Sequence, residues 1–166
     1  DDAALASAAL LHQIELATQA AAPPELARAA GAEAQKLAAE LQRLGEFGRA
    51  ARWSTASGIP VAQAETLRKM LLAVVSEPRL VVARIALQCA RLRAARDIDP
   101  ELRLQLAAES RAVFAPLANR LGIWRLKWEL EDLAFRWLEP DAYREIASAL
   151  AERRSDRERW VVDYVA

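Results

Sequence analysis

A single histidine, His12, and a single cysteine, Cys89, occur in the 166 residues. One cysteine excludes an internal disulfide framework and any cysteine-built zinc centre. Residues 3–96 contain no aspartate, and the chain has only five glycines, with no glycine-rich loop of the kind that cradles phosphates. Lysine is confined to Lys36, Lys69 and Lys127, and formal net charge is zero, so no bulk electrostatic grip on nucleic acid or acidic lipid is expected. No signal peptide or apolar run long enough to span a membrane is visible, which leads us to expect a soluble cytoplasmic piece of a larger protein.

What remains is rich in Ala, Leu, Arg and Glu, with 54% hydrophobic residues, enough to build a core at this length. Apolar residues recur at helical spacing, and no stretch alternates with the two-residue period of a strand, so the chain reads as all-α. Helices are expected over about 3–20, 24–44, 61–75, 78–96, 100–121 and 122–138, with a last one from Asp141 onward. Pro23-Pro24 closes the first helix, and Gly31 makes the middle of the second uncertain. "WSTASGIP" at 53–60 is the clearest loop, and Ser76 is a candidate N-cap. Asp99-Pro100-Glu101 marks the sharpest start, Pro116 is expected to bend that helix, and Gly122 ends it.

Two helices carry more information. Around the wheel of the 78–96 helix, Val81, Val82, Ile85, Ala86, Cys89 and Leu92 take most of the circumference, so this helix is expected to be central and buried. Arg84, Gln88 and Arg91 form a polar strip, expected to face outward, with Leu87 among them; contact with a neighbouring loop would account for that leucine. The 122–138 helix has a core stripe of Ile123, Leu126, Leu130, Leu133, Ala134, Trp137 and Leu138. A separate flank of Trp124, Trp128 and Phe135 needs a cover, either the last helix or a partner. Lys127 and Glu131, four residues apart, are expected to pair.

Catalytic chemistry is harder to find. A divalent ion needs several convergent imidazole or carboxylate ligands, and His12 has only glutamates such as Glu15 within reach. No serine lies in a strained glycine turn, and Cys89 sits among apolar residues that hold a thiol protonated. "ERRSDRERW" at 152–160 interleaves both signs of charge, as a solvated helix face does.

The segment "VFAPLANRLGIWRLKWELEDLAFRWLEPDAYREIASALAERRSDRER" (113–159) resembles the RelA/SpoT family, whose members make and degrade the alarmone (p)ppGpp in the bacterial stringent response. "ETLRKMLLAVVSEPRLVVARIAL" (65–87) resembles the segment preceding it in that family. The resemblance implies an HD-type helical hydrolase domain over 1–140, incomplete at its N-terminus. It also implies a junction over 141–166 leading to a synthetase domain that this sequence does not contain. Active members look like manganese-dependent hydrolases that use an upstream histidine, a His-Asp pair in a segment like "LLHDVVEDT" and an aspartate in one like "KLADRLHNMRT".

Against those patterns this chain reads "LLHQIELAT" and "RIALQCARLRA". His12 is kept, Gln13 replaces the aspartate ligand, and Leu16 and Ala17 replace the acidic pair. Leu87 replaces the second aspartate ligand, Arg91 an asparagine expected at the nucleotide and Ala94 a threonine. The resemblance therefore implies a decayed, regulatory pseudo-hydrolase of a RelA-type GTP pyrophosphokinase, with no metal in this piece. Its parent would use magnesium for synthesis. The implied partner is the synthetase domain of the same chain, met through Trp124, Trp128 and Phe135. Two alternatives stay open: an active manganese-dependent (p)ppGpp 3′-pyrophosphohydrolase, or a non-catalytic module that binds a guanine nucleotide through Arg84 and Arg91.

Overall fold

A computed structural model describes residues 2–50, 59–74 and 78–151, without the side chains of 46–50, 67 and 70–74. All regular structure among the described residues is helical. The elements are α1 (Ala3–Thr18), α2 (Pro24–Ala50), α3 (Val61–Val74), α4 (Pro78–Arg93), a 3-10 turn (Ala95–Asp97), α5 (Pro100–Glu109), a π-helical turn (Ser110–Phe114), α6 (Ala115–Arg120) and α7 (Trp124–Leu138). Residues 140–151 form α8. Ser76, most of the 53–60 loop and the 152–160 charge run lie outside the described residues.

Local chemistry sets most boundaries. Asp2 caps α1 by accepting from the Leu5 amide at 3.0 Å. Asp99 caps α5 by accepting from the amides of Glu101 and Leu102 at 2.9 and 3.1 Å, with Pro100 in the first turn. Gly31 kinks α2 with φ +85°, a region that side chains rarely tolerate. Gly122, at φ +73°, ends α6 in a Schellman turn: its own amide donates to Asn119 and that of Ile123 to Ala118.

The expected bend at Pro116 takes the form of a π-helical turn just before it, with the Ala115 amide reaching back five residues to the Ser110 carbonyl. Pro116 has no N–H to offer the carbonyl of Ala112, four residues earlier. The Arg68 guanidinium supplies a donor instead, at 2.7 Å, and Glu65 holds Arg68 in place at 2.5 Å. A sequence-distant salt bridge thus satisfies a backbone group that a local proline left open.

α1 packs along α2, and α4 runs between that pair and the α5–α7 half of the molecule. The core is formed by Leu11, Leu37, Leu41, Leu80, Ile85, Leu92, Val113, Phe114, Leu117 and Leu130, all buried. On α7, Leu130 and Ala134 are buried, while Leu126, Leu133, Trp137 and Leu138 pack against the core edge.

The orientation of α4 differs from the sequence expectation. Val82 is 39% exposed and Ala86 also faces solvent, whereas the supposed outer strip of Arg84, Leu87 and Gln88 is buried. The reason is that α4 has neighbours on nearly every side: beyond Pro78 at its start, the line of Arg79, Val82, Ala86, Ala90 and Arg93 reaches water, and Arg91 is half-buried. Internal partners make the burial of polar groups tolerable. The Gln88 side-chain amide donates to Ser110 Oγ at 3.1 Å and lies 3.3 Å from a Glu109 carboxylate oxygen, and the Arg84 guanidinium stacks 5.3 Å above the Phe114 ring.

Candidate functional site

His12 lies on the third turn of α1, on the face turned towards α2, and is 3% exposed. The apolar neighbours Ala8 and Leu11 bury that face, which carries the imidazole inward with them. Beside it is a cavity of about 510 Å³, lined by His12, Glu15, Leu16, Gln19, Ala20, Ala21 and Gln42. The cavity exists because α1 stops at Thr18. Gln19 then takes a left-handed conformation at φ 54°, and the chain turns across the helix end towards α2. Glu15 secures that turn by accepting from the Ala22 amide at 3.4 Å.

Of the residues singled out in the sequence, the structure brings His12 and Leu16 to this cavity. Gln13 is half-buried beside it, its amide nitrogen enclosed and without a hydrogen-bond partner. Ala17 points to solvent. Leu87 is buried on α4, which packs against α1, and is 8% exposed, but it is not part of the cavity wall. Gln19 and Gln42 do line it and carried no signal in the sequence, because a glutamine on a helix looks like any solvated residue.

The donor chemistry does not suit a divalent cation. Among the described residues no three His, Cys, Asp or Glu side chains converge closely enough to hold one. The cavity offers one imidazole, one carboxylate already engaged with the backbone, and two neutral amides. Hard divalent ions need charged oxygen ligands in number.

Arg84 and Arg91 are not the exposed arginines that phosphate recognition would need. Arg84 is 6% exposed against Phe114, and Arg91 is half-buried. Cys89 is buried, and burial together with the nearby Glu129 carboxylate pushes its thiol up to about 11. Glu129 itself is held ionised, below the usual carboxylate range, chiefly by its hydrogen bond from Arg93.

The aromatic flank of α7 is covered only in part. Phe135 meets Tyr143 of α8 edge to face, with ring centres 5.7 Å apart. Trp124 and Trp128 stay open, 55% and 64% exposed, so no second layer among the described residues covers them. Lys127 and Glu131 form the expected pair at 3.0 Å.

The HD domain family matches residues 1–124 of the chain. A probable guanosine-3′,5′-bis(diphosphate) 3′-pyrophosphohydrolase of Synechocystis is 50% identical over 96 residues, 58% of this chain and 13% of that protein. The GTP pyrophosphokinase of Escherichia coli K12 is 48% identical over 103 residues, 62% of this chain and 14% of that protein. That of Photobacterium angustum is 47% identical over 104 residues, 63% and 14%. The chain therefore spans only a small part of the length of these relatives.

Proposed function

The chain belongs to the HD domain family in its RelA/SpoT form, and we propose that it is the non-hydrolysing, regulatory HD region of a (p)ppGpp synthetase. The observation that carries this reading is the donor set around His12. Gln13 presents a neutral amide at the first ligand post, Leu87 is buried carbon at the second, and the cavity gathers no cluster of acidic or imidazole groups to replace them. A fold that serves metal-dependent hydrolysis is kept while the charge that would hold the metal is gone.

What the domain keeps is a packed helical body, and α7 offers the exposed indoles of Trp124 and Trp128 as a docking face for the synthetase domain of the same parent chain. Phe135, half-buried against Tyr143, completes the flank beside them. Such contacts would let the HD region bias the neighbouring domain between states without doing chemistry of its own.

One observation favours a second reading, a working (p)ppGpp 3′-pyrophosphohydrolase: the Synechocystis relative with that name is as similar as the synthetases are. Overall similarity does not separate the two; Gln13 and Leu87, at the ligand positions the resemblance implies, support the first reading. The binding module built on Arg84 and Arg91 is disfavoured, because Arg84 is enclosed against Phe114. Incubating the full-length hydrolase domain, its upstream histidine segment included, with ppGpp and manganese and measuring released pyrophosphate is the test. No release above the uncatalysed blank is expected, and steady turnover would overturn the proposal in favour of the hydrolase.

A further inference from the structure

A second cavity, of about 330 Å³, opens on the far half of the molecule, lined by Arg103 of α5, Arg136 and Trp137 of α7, and Pro140, Tyr143 and Arg144 around the start of α8. Three guanidiniums share one small cavity, and among the described residues that line it none is acidic. Trp137 organises two of them. Its indole N–H donates to the Leu92 carbonyl at 3.4 Å, which fixes the ring. The guanidinium carbons of Arg103 and Arg136 then lie 4.8 and 5.5 Å from the ring centre.

Their hydrogen-bonding capacity is largely unspent. A guanidinium carries five N–H donors. Arg103 gives one to the Arg96 carbonyl at 3.2 Å, and Arg136 makes no hydrogen bond or ion pair with a described residue. Arg144 is paired with the exposed Asp141, which offsets one of the three charges. Stacking on the indole thus holds planar forks in place without consuming their donors, the arrangement that suits a multidentate oxyanion.

We propose that this cavity binds the phosphate or pyrophosphate group of a small soluble ligand, gripped by Arg136 and Arg144 with Arg103 behind them. The cavity is at the small end of the range for ligand pockets, which favours a compact phosphate-bearing group. A net charge of zero gives the chain no long-range pull on a nucleic-acid polyanion. This site shares no residue with the His12 cavity and does not depend on the assignment made there.

Isothermal titration of the 166-residue chain with inorganic pyrophosphate tests it, and a parallel titration with GDP asks whether the group is recognised alone or on a nucleotide. Saturable binding is expected, weakened by added salt and reduced about tenfold by either Arg136→Gln or Arg144→Gln. Arg136→Lys, which keeps the charge but loses the fork, should recover only part of the loss. Both positions are exposed, so the thermal melts of the variants should match the parent. Gln42→Ala, in the other cavity, should leave the titration unchanged. GDP binding more tightly than pyrophosphate, or equally, supports the site and names the source. Absence of saturable heat at millimolar pyrophosphate overturns it. So does binding indifferent to both arginine substitutions, equal loss in Gln42→Ala, or binding of an RNA oligomer where pyrophosphate fails.

Discussion

Replacing Leu87 by aspartate restores on paper one of the carboxylates that a metal-holding relative would need, and the structure says what it would do here. The side chain is 8% exposed and packed in the core that α4 shares with its neighbours. Removing a leucine from such a position forfeits about 2 kcal/mol of apolar burial. Leaving an ionised carboxylate without a partner costs several kcal/mol more unless it takes up a proton. The sum, about 4 kcal/mol or above, is a large share of the roughly 5–15 kcal/mol that stabilises a domain.

The penalty has a pH signature. Burial raises the folded-state pKa of the introduced carboxyl above its unfolded value of about 3.9. Below that value both states are protonated and the ionic cost vanishes; it grows as pH rises towards the folded pKa. Urea denaturation of Leu87→Asp should therefore show a larger loss near neutral pH than near pH 4. Added manganese should not repair it, because Glu15, the only carboxylate among the described residues lining the His12 cavity, is already engaged with the backbone. A loss below about 1 kcal/mol, or recovery of stability on adding manganese, would refute the reasoning by showing that this position opens onto a competent site.

Other consequences can be checked separately. Arg68→Met should cost about 2 kcal/mol by stranding the Ala112 carbonyl, and less in a Pro116→Ala background, where a backbone N–H becomes available; equal costs in a double-mutant cycle would separate the two features. The Asp2 carboxyl is held below its usual range, first by the Leu5 amide and then by Arg79, so its capping of α1 is present above about pH 3.8 and is lost as pH falls through the lower folded value. Hydrogen exchange of the Leu5 amide should quicken in acid for the parent but show no such step for Asp2→Asn. Cys89, with its thiol pushed up to about 11, should resist iodoacetamide in the folded chain at neutral pH and react only at the unfolding rate. Trp128→Ala should leave the stability of this chain within about 0.5 kcal/mol, since the indole is mostly exposed, yet alter (p)ppGpp synthesis when made in the longer parent; unchanged synthesis would count against the docking face.

Local stereochemistry was the legible part of the fold. Asp99-Pro100 and Gly122 each have a strong conformational preference that nothing else in the chain opposes, so their helix ends fall where expected. Gly31 left the middle of the second helix uncertain, and the structure shows a kink there. The orientation of α4 was not legible. Val82 and Ala86 look like core residues on a wheel, but they are small enough to face water cheaply, while Gln88 and Arg84 find partners inside from α5, the π-helical turn and Phe114. Those partners lie about twenty to thirty residues further along the chain, beyond any helical periodicity.

The same limit applies to the sites. Gln13 and Leu87 could be picked out only by comparison with the RelA/SpoT pattern, since an amide and a leucine at helical spacing are unremarkable in themselves. The His12 cavity borrows Gln42 from a different helix, and the Arg136 cavity draws on three elements. For Trp124 and Trp128 the wheel placed the pair outside the core stripe and called for a cover, but among the described residues α8 meets Phe135 of that flank and leaves both indoles exposed.

The claim on which the functional assignment turns is that no divalent cation is held next to the imidazole of α1. Crystals of the chain soaked in manganese, with diffraction collected at the manganese absorption edge, address it directly. The account expects no anomalous peak within bonding distance of His12; an ion at full occupancy there, ligated by the imidazole and neighbouring oxygens, would contradict it.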